Sequence, residues 1–455
     1  MAVASARDLA LEALLDRQGQ VTRHLERLLA EQVPAPAEAG LATELTLGVV
    51  RYQRTLDAIL RAYSTQPDRE MPPWLRQVLR LGLYQLLFLD RVPNFAAVSE
   101  AVEQCRRHQL QMAGFVNGLL RSVGRAVREP VTGEVPMKRN IVAMSLDRYR
   151  MLDRFVCASP EEQPGEFIAD ICSLPSELSQ RWLKRFGGLR GTFNQAMQAN
   201  ARPVVAARVD LTRTTVQAVL QSLEEEGIEA VAHENGRSIV LTSHVIVGSL
   251  EVFRQGLITP QDPTATDVPL ALKVRPGMRV LDFCASPGTK TTEIAELMDR
   301  RGEILASDVS QDKLDRIVYA ALRCRIDIIR TCLATELGSM EPGSFDRVLV
   351  DVPCSNSGVL ARRVEARWRL STKVIHRLAE DQLTLLGLAS MFLAKGGRLI
   401  YSTCSIEPEE NEGVVHSFLA KFKRLRVREQ KLTLPLGLAE PRKYRDGGYW
   451  AALEG

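Results

Sequence analysis

Two cysteines sit in nearly matching frames, Pro353-Cys354-Ser355 and Thr403-Cys404-Ser405. Each follows an apolar run that reads as a β-strand, Arg347–Asp351 and Arg398–Ser402. In parallel α/β sheets, chemistry gathers just beyond the carboxyl ends of the strands, so both thiols are placed to face one substrate. A thiolate is a strong nucleophile at an accessible pKa, and two thiols at one site allow one to attack and the other to assist release. Asp351 ends its strand three residues before Cys354, where a carboxylate can meet the edge of a bound ring and offset developing charge. Cys105, Cys157, Cys172, Cys324 and Cys332 lie outside any such frame and read as small buried hydrophobes.

A second candidate element is Cys284-Ala285-Ser286-Pro287-Gly288-Thr289-Lys290, which follows a strand at Arg279–Phe283 and opens a helix. Small residues and a glycine let the backbone approach a ligand, and the helix N-terminus offers free N–H groups. Asp308 ends the next strand, about 20 residues on, where a carboxylate accepts from ribose hydroxyls. These features predict a nucleoside cofactor. The chain lacks a G-x-G-x-x-G run at this turn, and Lys290 does not follow Gly288 as a P-loop requires. A cofactor without a pyrophosphate fits better, with S-adenosyl-L-methionine the candidate. Lys290 completes the polar rim of the expected pocket.

These residues need a scaffold. From about 275 onward, candidate strands at Arg279–Phe283, Glu303–Ser307, Asp327–Thr331, Arg347–Asp351 and Arg398–Ser402 alternate with helical stretches. That alternation predicts a mainly parallel, doubly wound sheet, with Gly448–Leu453 as an added edge strand. Residues 1–125 carry helical periodicity instead, and Leu79–Leu89 is apolar on more than one face, as expected of a central bundle helix. Residues 126–170 are rich in Pro and Gly and read as a linker or insertion, with a short helix near Met144–Phe155. Residues 171–265 read as a small α/β subdomain, with Val204–Val209 and Ser238–Leu241 as strands, and residues 266–455 as the ligand-binding domain. The predicted fold class is multidomain: an all-α bundle, a small α/β subdomain and a Rossmann-like α/β sandwich.

The composition is that of an ordinary globular chain: 455 residues, 45% hydrophobic, 25% charged, net charge +4. No apolar run approaches the ~20 residues needed to span a bilayer, so no membrane partner is expected. The eight cysteines show no CxxC pair and no metal-ligand spacing, which predicts reduced thiols, no metal and a cytoplasmic location. The mild charge permits a nucleic-acid partner without requiring one.

The thiol pair suits one chemistry well. C5 of cytosine is a poor nucleophile, but thiolate addition at C6 makes an enamine whose C5 attacks a methyl donor. The segments Cys284–Lys290, Asp351-Val352-Pro353-Cys354-Ser355-Asn356-Ser357-Gly358 and Tyr401–Glu412 resemble the signature segments of the NOL1/NOP2/Sun RNA cytosine-C5 methyltransferases. Leu45–Arg51, Leu81–Pro93 and Gly114–Arg121 look like the NusB-like RNA-binding domain of the bacterial subgroup that modifies 16S rRNA. The resemblance implies Cys404 as nucleophile, Cys354 as the release residue, Asp351 as the acidic residue preceding the Cys354 motif and Asp308 as the ribose ligand; Lys290 and Asp351 are expected both as catalytic partners and as cofactor contacts. It also implies 16S rRNA or its precursor as partner, with no obligate protein partner. Ser286, Thr289 and Lys313 stand where the family usually has Ala, Gly and Arg, and Thr331–Ala334 lacks the acid of its third motif, with Glu336 out of register.

Arg362, Arg363, Arg367 and Arg369 around Trp368 are a candidate RNA surface, suited to phosphate contacts and base stacking. By family analogy, Asn200–Pro203 adds to it. Two other readings stand beside this one: an RNA-binding assembly protein with a degenerate catalytic domain, and a DNA-type cytosine methyltransferase with the cysteine roles exchanged. A cytosine-C5 enzyme acting on another RNA is a nearer variant.

Overall fold

The computed structural model describes residues 5–16, 20–64, 71–243, 245–437 and 440–455, and the chain divides into two compact units. The first comprises residues 1–201 together with Arg363–Ser371, and the second comprises 202–362 together with 372–455.

The first unit begins with the helices Ala6–Leu14, Val21–Gln32, Pro36–Tyr63, Pro73–Phe88, Asn94–His108 and Ala113–Ala126. Helix Pro73–Phe88 buries every residue from Val78 to Leu87 and touches four of the others, which is why its apolar residues are not confined to one stripe. Gly82 lies where this helix is crossed most closely; a Cβ there would meet Leu120 at 2.6 Å.

The segment expected to be loose is ordered by strands. Val131–Thr132, Arg148–Met151 and Ile141–Ala143 form an antiparallel sheet, so the helix expected near Met144–Phe155 is replaced by a strand. The alternating Arg148-Tyr149-Arg150-Met151 run has strand periodicity, and Arg150 turns inward to donate to the Leu87 carbonyl and to Asp90. Helices Pro164–Cys172, Ser176–Arg185 and Gly188–Gln198 complete the unit. The stretch read as one subdomain is thus shared: these helices cluster with the first unit, and the strands after Arg202 with the second.

The basic turn also departs from expectation. Arg367 is fully buried and donates to the carbonyls of Arg51, Ser173 and Ala199 and to Asn200 Oδ1. Trp368 donates from Nε1 to the Val50 carbonyl at 2.9 Å. Asn200 is buried as well, its amide donating to the Cys172 carbonyl. These three side chains tie the first unit together; Arg367 and Asn200 are buried and Trp368 half-buried, whereas Arg363 and Arg369 are exposed. The segment after the Cys354 loop reads as an RNA surface in sequence because the partners that engage Arg367 lie far away along the chain.

The second unit contains an antiparallel four-stranded sheet, ordered Ala230–Ala232, Ser238–Leu241, Val205–Val209, Ile258–Pro260, with helix Val216–Glu225 packed on it. It also contains the large sheet, whose strands are β1 (Arg279–Asp282), β2 (Glu303–Asp308), β3 (Ile329–Leu333), β4 (Phe345–Asp351), β5 (Leu393–Thr403), β6 (Arg426–Thr433) and β7 (Gly448–Glu454). Their order is β3-β2-β1-β4-β5-β7-β6, parallel except for β7, which runs antiparallel to both neighbours. The closing strand is therefore internal, and the edge is β6, whose charged sequence Arg-Val-Arg-Glu-Gln-Lys disguised it.

Both faces of the sheet are covered. Val348, Val350, Leu399 and Tyr401 pack under helices Thr372–Ser390 and Glu412–Lys421, while Val280, Leu349 and Ile400 pack under Pro263–Ala271 and Thr289–Leu297. Burial on both faces explains why these strands read as continuous apolar runs. In the β4–β5 ladder Asp351 stands opposite Ser402, so both cysteine loops leave the sheet from the same rung.

Candidate active site

Sequence separation collapses at the carboxyl ends of β4 and β5. Cys354 Sγ lies 3.0 Å from Cys404 Sγ. Both thiols are half-buried, and all eight cysteines are free. Lys290 reaches the same place from the end of the β1 turn, its Nζ 2.6 Å from Asp351 Oδ2. Ser402 donates to the other oxygen, Asp351 Oδ1, at 2.7 Å. A cleft lined by Lys290, Asp351, Cys404, Asp262, Asp446 and Trp450 opens beside these groups.

A buried carboxylate staples the two cysteine loops. Glu410 accepts from the Ser355 backbone N–H at 2.8 Å through Oε1 and from the Ser405 hydroxyl at 2.6 Å through Oε2. Gln382 donates to the same Oε1 and to the Pro353 carbonyl, while the Tyr401 hydroxyl donates to the Glu410 carbonyl. Asn411 accepts from Thr403 Oγ1 and donates to the Ser405 carbonyl. At Gly358 the chains touch: its N–H donates to the Cys404 carbonyl, and a Cβ would stand 2.7 Å from that oxygen. The serines following each cysteine are therefore scaffold: Ser355 and Ser405 pair through their hydroxyls at 3.1 Å. With every donor and acceptor answered, the thiols are held with little freedom to separate.

The electrostatics differ across the pair. The hydrogen bond with Cys404, followed by burial, pushes the Cys354 thiol well above the ordinary thiol range. Burial alone would pull Lys290 down, but the adjacent Asp351 carboxylate more than offsets it and holds the ammonium protonated. Cys404 contributes in the same direction, so the lysine charge acts on that sulfur. The arrangement contains a protonated thiol, a second thiol beside an ammonium, and a carboxylate at a strand end. It can deliver a sulfur nucleophile to a planar electrophile and steady charge on it.

The predicted cofactor loop lies beside this centre. The Ser286 N–H donates to Asp308 Oδ2 at 3.0 Å, and Gly288 adopts a left-handed φ of 97° at the start of helix Thr289–Leu297. Ser286–Pro287 is a cis peptide bond. Asp308 Oδ1 accepts from Val309 N–H and from Lys313 Nζ at 2.8 Å. Ala285 is tied to the Ser307 carbonyl, and Thr291 donates to Asp282 Oδ2. Asp282 Oδ1 is buried without a hydrogen-bond partner, and burial pushes this carboxyl up to about 7. Cys284 is driven by burial up to about 12, the behaviour of an inert thiol that shapes the loop through its backbone. An open glycine turn, a strand-end carboxylate and an orphaned buried oxygen together fit a nucleoside with a charged tail. Glu336, the acid standing nearest the family's third motif, instead caps the Leu333 N–H at 2.7 Å.

Sequence reasoning named Cys354, Cys404, Lys290, Asp351 and the loop 284–290, and they converge with Asp308 on one end of the sheet. It quoted Glu410 and Asn411 within a signature segment without giving either a role. Gln382 was missed altogether, since a polar residue inside an amphipathic helix carries no signal of a loop it reaches from another element.

With this geometry established, the comparisons become informative. Residues 269–446 match the family model for the 16S rRNA methyltransferase RsmB/F, residues 4–125 match the NusB family, and residues 174–248 match the ferredoxin-like domain of RsmF/B-like methyltransferases. A probable ribosomal RNA small subunit methyltransferase B from Bacillus subtilis is 32% identical, over 91% of this chain and 88% of its own length. One from Synechocystis is 31% identical, over 95% and 93%. Among solved structures, a methyltransferase homolog protein from Pyrococcus horikoshii superposes with a TM-score of 0.54 at 25% identity, over 65% of this chain and 99% of its own. The chain belongs to the RsmB/F family of ribosomal RNA methyltransferases, with a NusB domain preceding its methyltransferase domain.

Proposed function

We propose that this protein methylates C5 of a cytosine in 16S rRNA through a covalent adduct between Cys404 and C6. The observation that carries this reading is the 3.0 Å approach of two thiols from adjacent strand ends, beside the Lys290–Asp351 pair. Methyl transfer to an exocyclic nitrogen or to a protein side chain has no use for that arrangement. The relatives' names supply the substrate class: small-subunit ribosomal RNA.

In this reading the cytosine leaves its stack and enters the cleft with its C6 toward Cys404. The Cys404 thiol gives up its proton to solvent as its sulfur bonds to C6, and the ring electrons move toward N3. The Lys290 ammonium offsets that charge, while the Asp351 carboxylate accepts from the exocyclic amine. The enamine so formed makes C5 nucleophilic, and S-adenosylmethionine, when bound, supplies an electrophilic methyl group. Loop 284–290 and Asp308 would hold the cofactor, Asp308 by accepting from its ribose, with Lys313 already on the same carboxylate. After transfer the C5 proton passes to solvent, its electron pair restores the C5=C6 bond, and the C6–S electron pair leaves with Cys404. Cys354, touching Cys404, is placed to assist this release.

Bisulfite sequencing of unmethylated 16S rRNA incubated with the protein and S-adenosylmethionine tests the reading. A single protected cytosine is expected. Labelled methyl incorporated at any atom other than cytosine C5 would refute it.

A further inference from the structure

Asn356, two residues beyond Cys354, has a left-handed φ of 61°. Asparagine tolerates this conformation better than other side-chain-bearing residues because its carboxamide can bond locally. Here its Nδ2 donates to the Cys354 carbonyl at 2.9 Å, and its Oδ1 accepts from Cys404 Sγ at 3.3 Å. The orientation of the amide is not arbitrary. A backbone carbonyl can only accept, so the NH2 end must face Cys354, which leaves the oxygen facing Cys404.

We propose that Asn356 is a positioning residue that keeps the Cys404 thiol protonated and turned toward its own loop until substrate displaces it. An amide oxygen is an acceptor only: it binds S–H and repels a thiolate. The two sulfurs and the amide form a chain: Cys404 has one proton to give, and with that proton on Asn356 Oδ1 the 3.0 Å contact between the sulfurs takes its proton from Cys354. The Lys290 ammonium pulls the other way, and Asp351 tempers it by pairing with that charge. Of the other carboxylates at the site, Glu410 is engaged by Ser355, Ser405 and Gln382, Asp446 pairs with Arg362, and Asp262 accepts from the backbone N–H groups of Thr264 and Asp446. Asn356 thus guards a nucleophile that would otherwise stand open to alkylation and oxidation between turnovers.

The consequence for catalysis rests on Cys404 being the nucleophile, but the restraint on its thiol can be measured without RNA. The full chain, Asn356→Gly and Asn356→Asp are treated with limiting iodoacetamide at neutral pH, and alkylation of the Cys404 peptide is followed by mass spectrometry. Glycine keeps the left-handed turn and removes the acceptor; the rate is expected to rise about 3- to 10-fold, the worth of one neutral hydrogen bond. Aspartate puts a negative charge beside the sulfur, and the rate is expected to fall. A purely structural role would move both variants in the same direction. Equal rates in all three proteins, or a common direction, would overturn the proposal. If thermal melting shows that Asn356→Gly does not fold, Asn356→Asp decides alone, a rate equal to or above that of the parent counting against it. Failure of the nucleophile reading would show separately, as methylation surviving in Cys404→Ala.

Discussion

Lys290, half-buried, and Arg367, fully buried, illustrate two ways a folded chain uses a positive charge. Arg367 distributes its guanidinium among three carbonyls and a side-chain amide, and all of these partners belong to the first unit. Burial, followed by the like charge of Arg51, pulls its pKa down, yet it is kept as a clamp. Lys290 instead spends its charge on one strand-end carboxylate that lines a cleft beside two thiols. The saturated cation builds structure; the cation left at a cleft is available for chemistry. Residue type alone distinguishes neither, since Lys290 and the arginines around Trp368 both read as functional from the sequence.

The comparison can be broken by substitution. Lys290→Met is expected to lower methylation by about 10²- to 10⁴-fold, the usual worth of a group that manages charge or protons at a reacting centre. The melting temperature of the second unit should change little, and a large fall in it with activity retained would reverse the assignment. Arg367→Met should do the opposite. It strands several buried acceptors, at a cost of about 3 kcal/mol or more measured by urea unfolding of the first unit. S-adenosylmethionine affinity, read by calorimetry, should be unaffected.

A third buried charge cluster sharpens the contrast through pH. Arg208 lies within 3.7 Å of Glu293 and pairs with Glu296 at 2.7 Å, all three being buried. Burial first, with the charge of Glu296 adding to it against the pull of Arg208, pushes Glu293 up to about 8. Because the folded state holds this proton more tightly than the unfolded chain, its stabilising contribution is full below the ordinary glutamate range and is lost as pH rises through about 8. The melting temperature of the native protein should therefore fall between about pH 5 and 8, and Glu293→Gln should lessen that slope. An unchanged slope would show that Glu293 is already ionised at neutral pH.

The smallest effects belong to the part of the basic turn that remains exposed. Arg363→Ala and Arg369→Ala should leave stability within about 0.5 kcal/mol. If either arginine meets a phosphate, its loss lowers the salt dependence of rRNA binding by about one unit of slope. An unchanged slope would assign that arginine to the free surface.

The convergence of the candidate residues was legible because parallel-sheet topology gathers strand ends on one edge, and β4 and β5 are apolar runs followed by Cys354 and Cys404. The closing strand β7 was visible by its residues, but its internal place was not, because β6 is too charged to read as a strand. The fate of Arg367, Trp368 and Asn200 was illegible for a different reason. Their partners, Arg51, Val50 and Cys172, are more than a hundred positions away or lie across several helices, and only the fold brings them together. Glu410 shows the same limit within the site: its sequence neighbours announce a motif, while its work is done on Ser355 and Gln382.

The central claim is that Cys404 attacks and Cys354 releases. Cys354→Ala and Cys404→Ala, each incubated with S-adenosylmethionine and unmethylated 16S rRNA and resolved on a denaturing gel, test it most directly. The account predicts a protein–RNA adduct that accumulates with Cys354→Ala and is absent with Cys404→Ala. An adduct that persists in Cys404→Ala would contradict it and give the attacking role to Cys354.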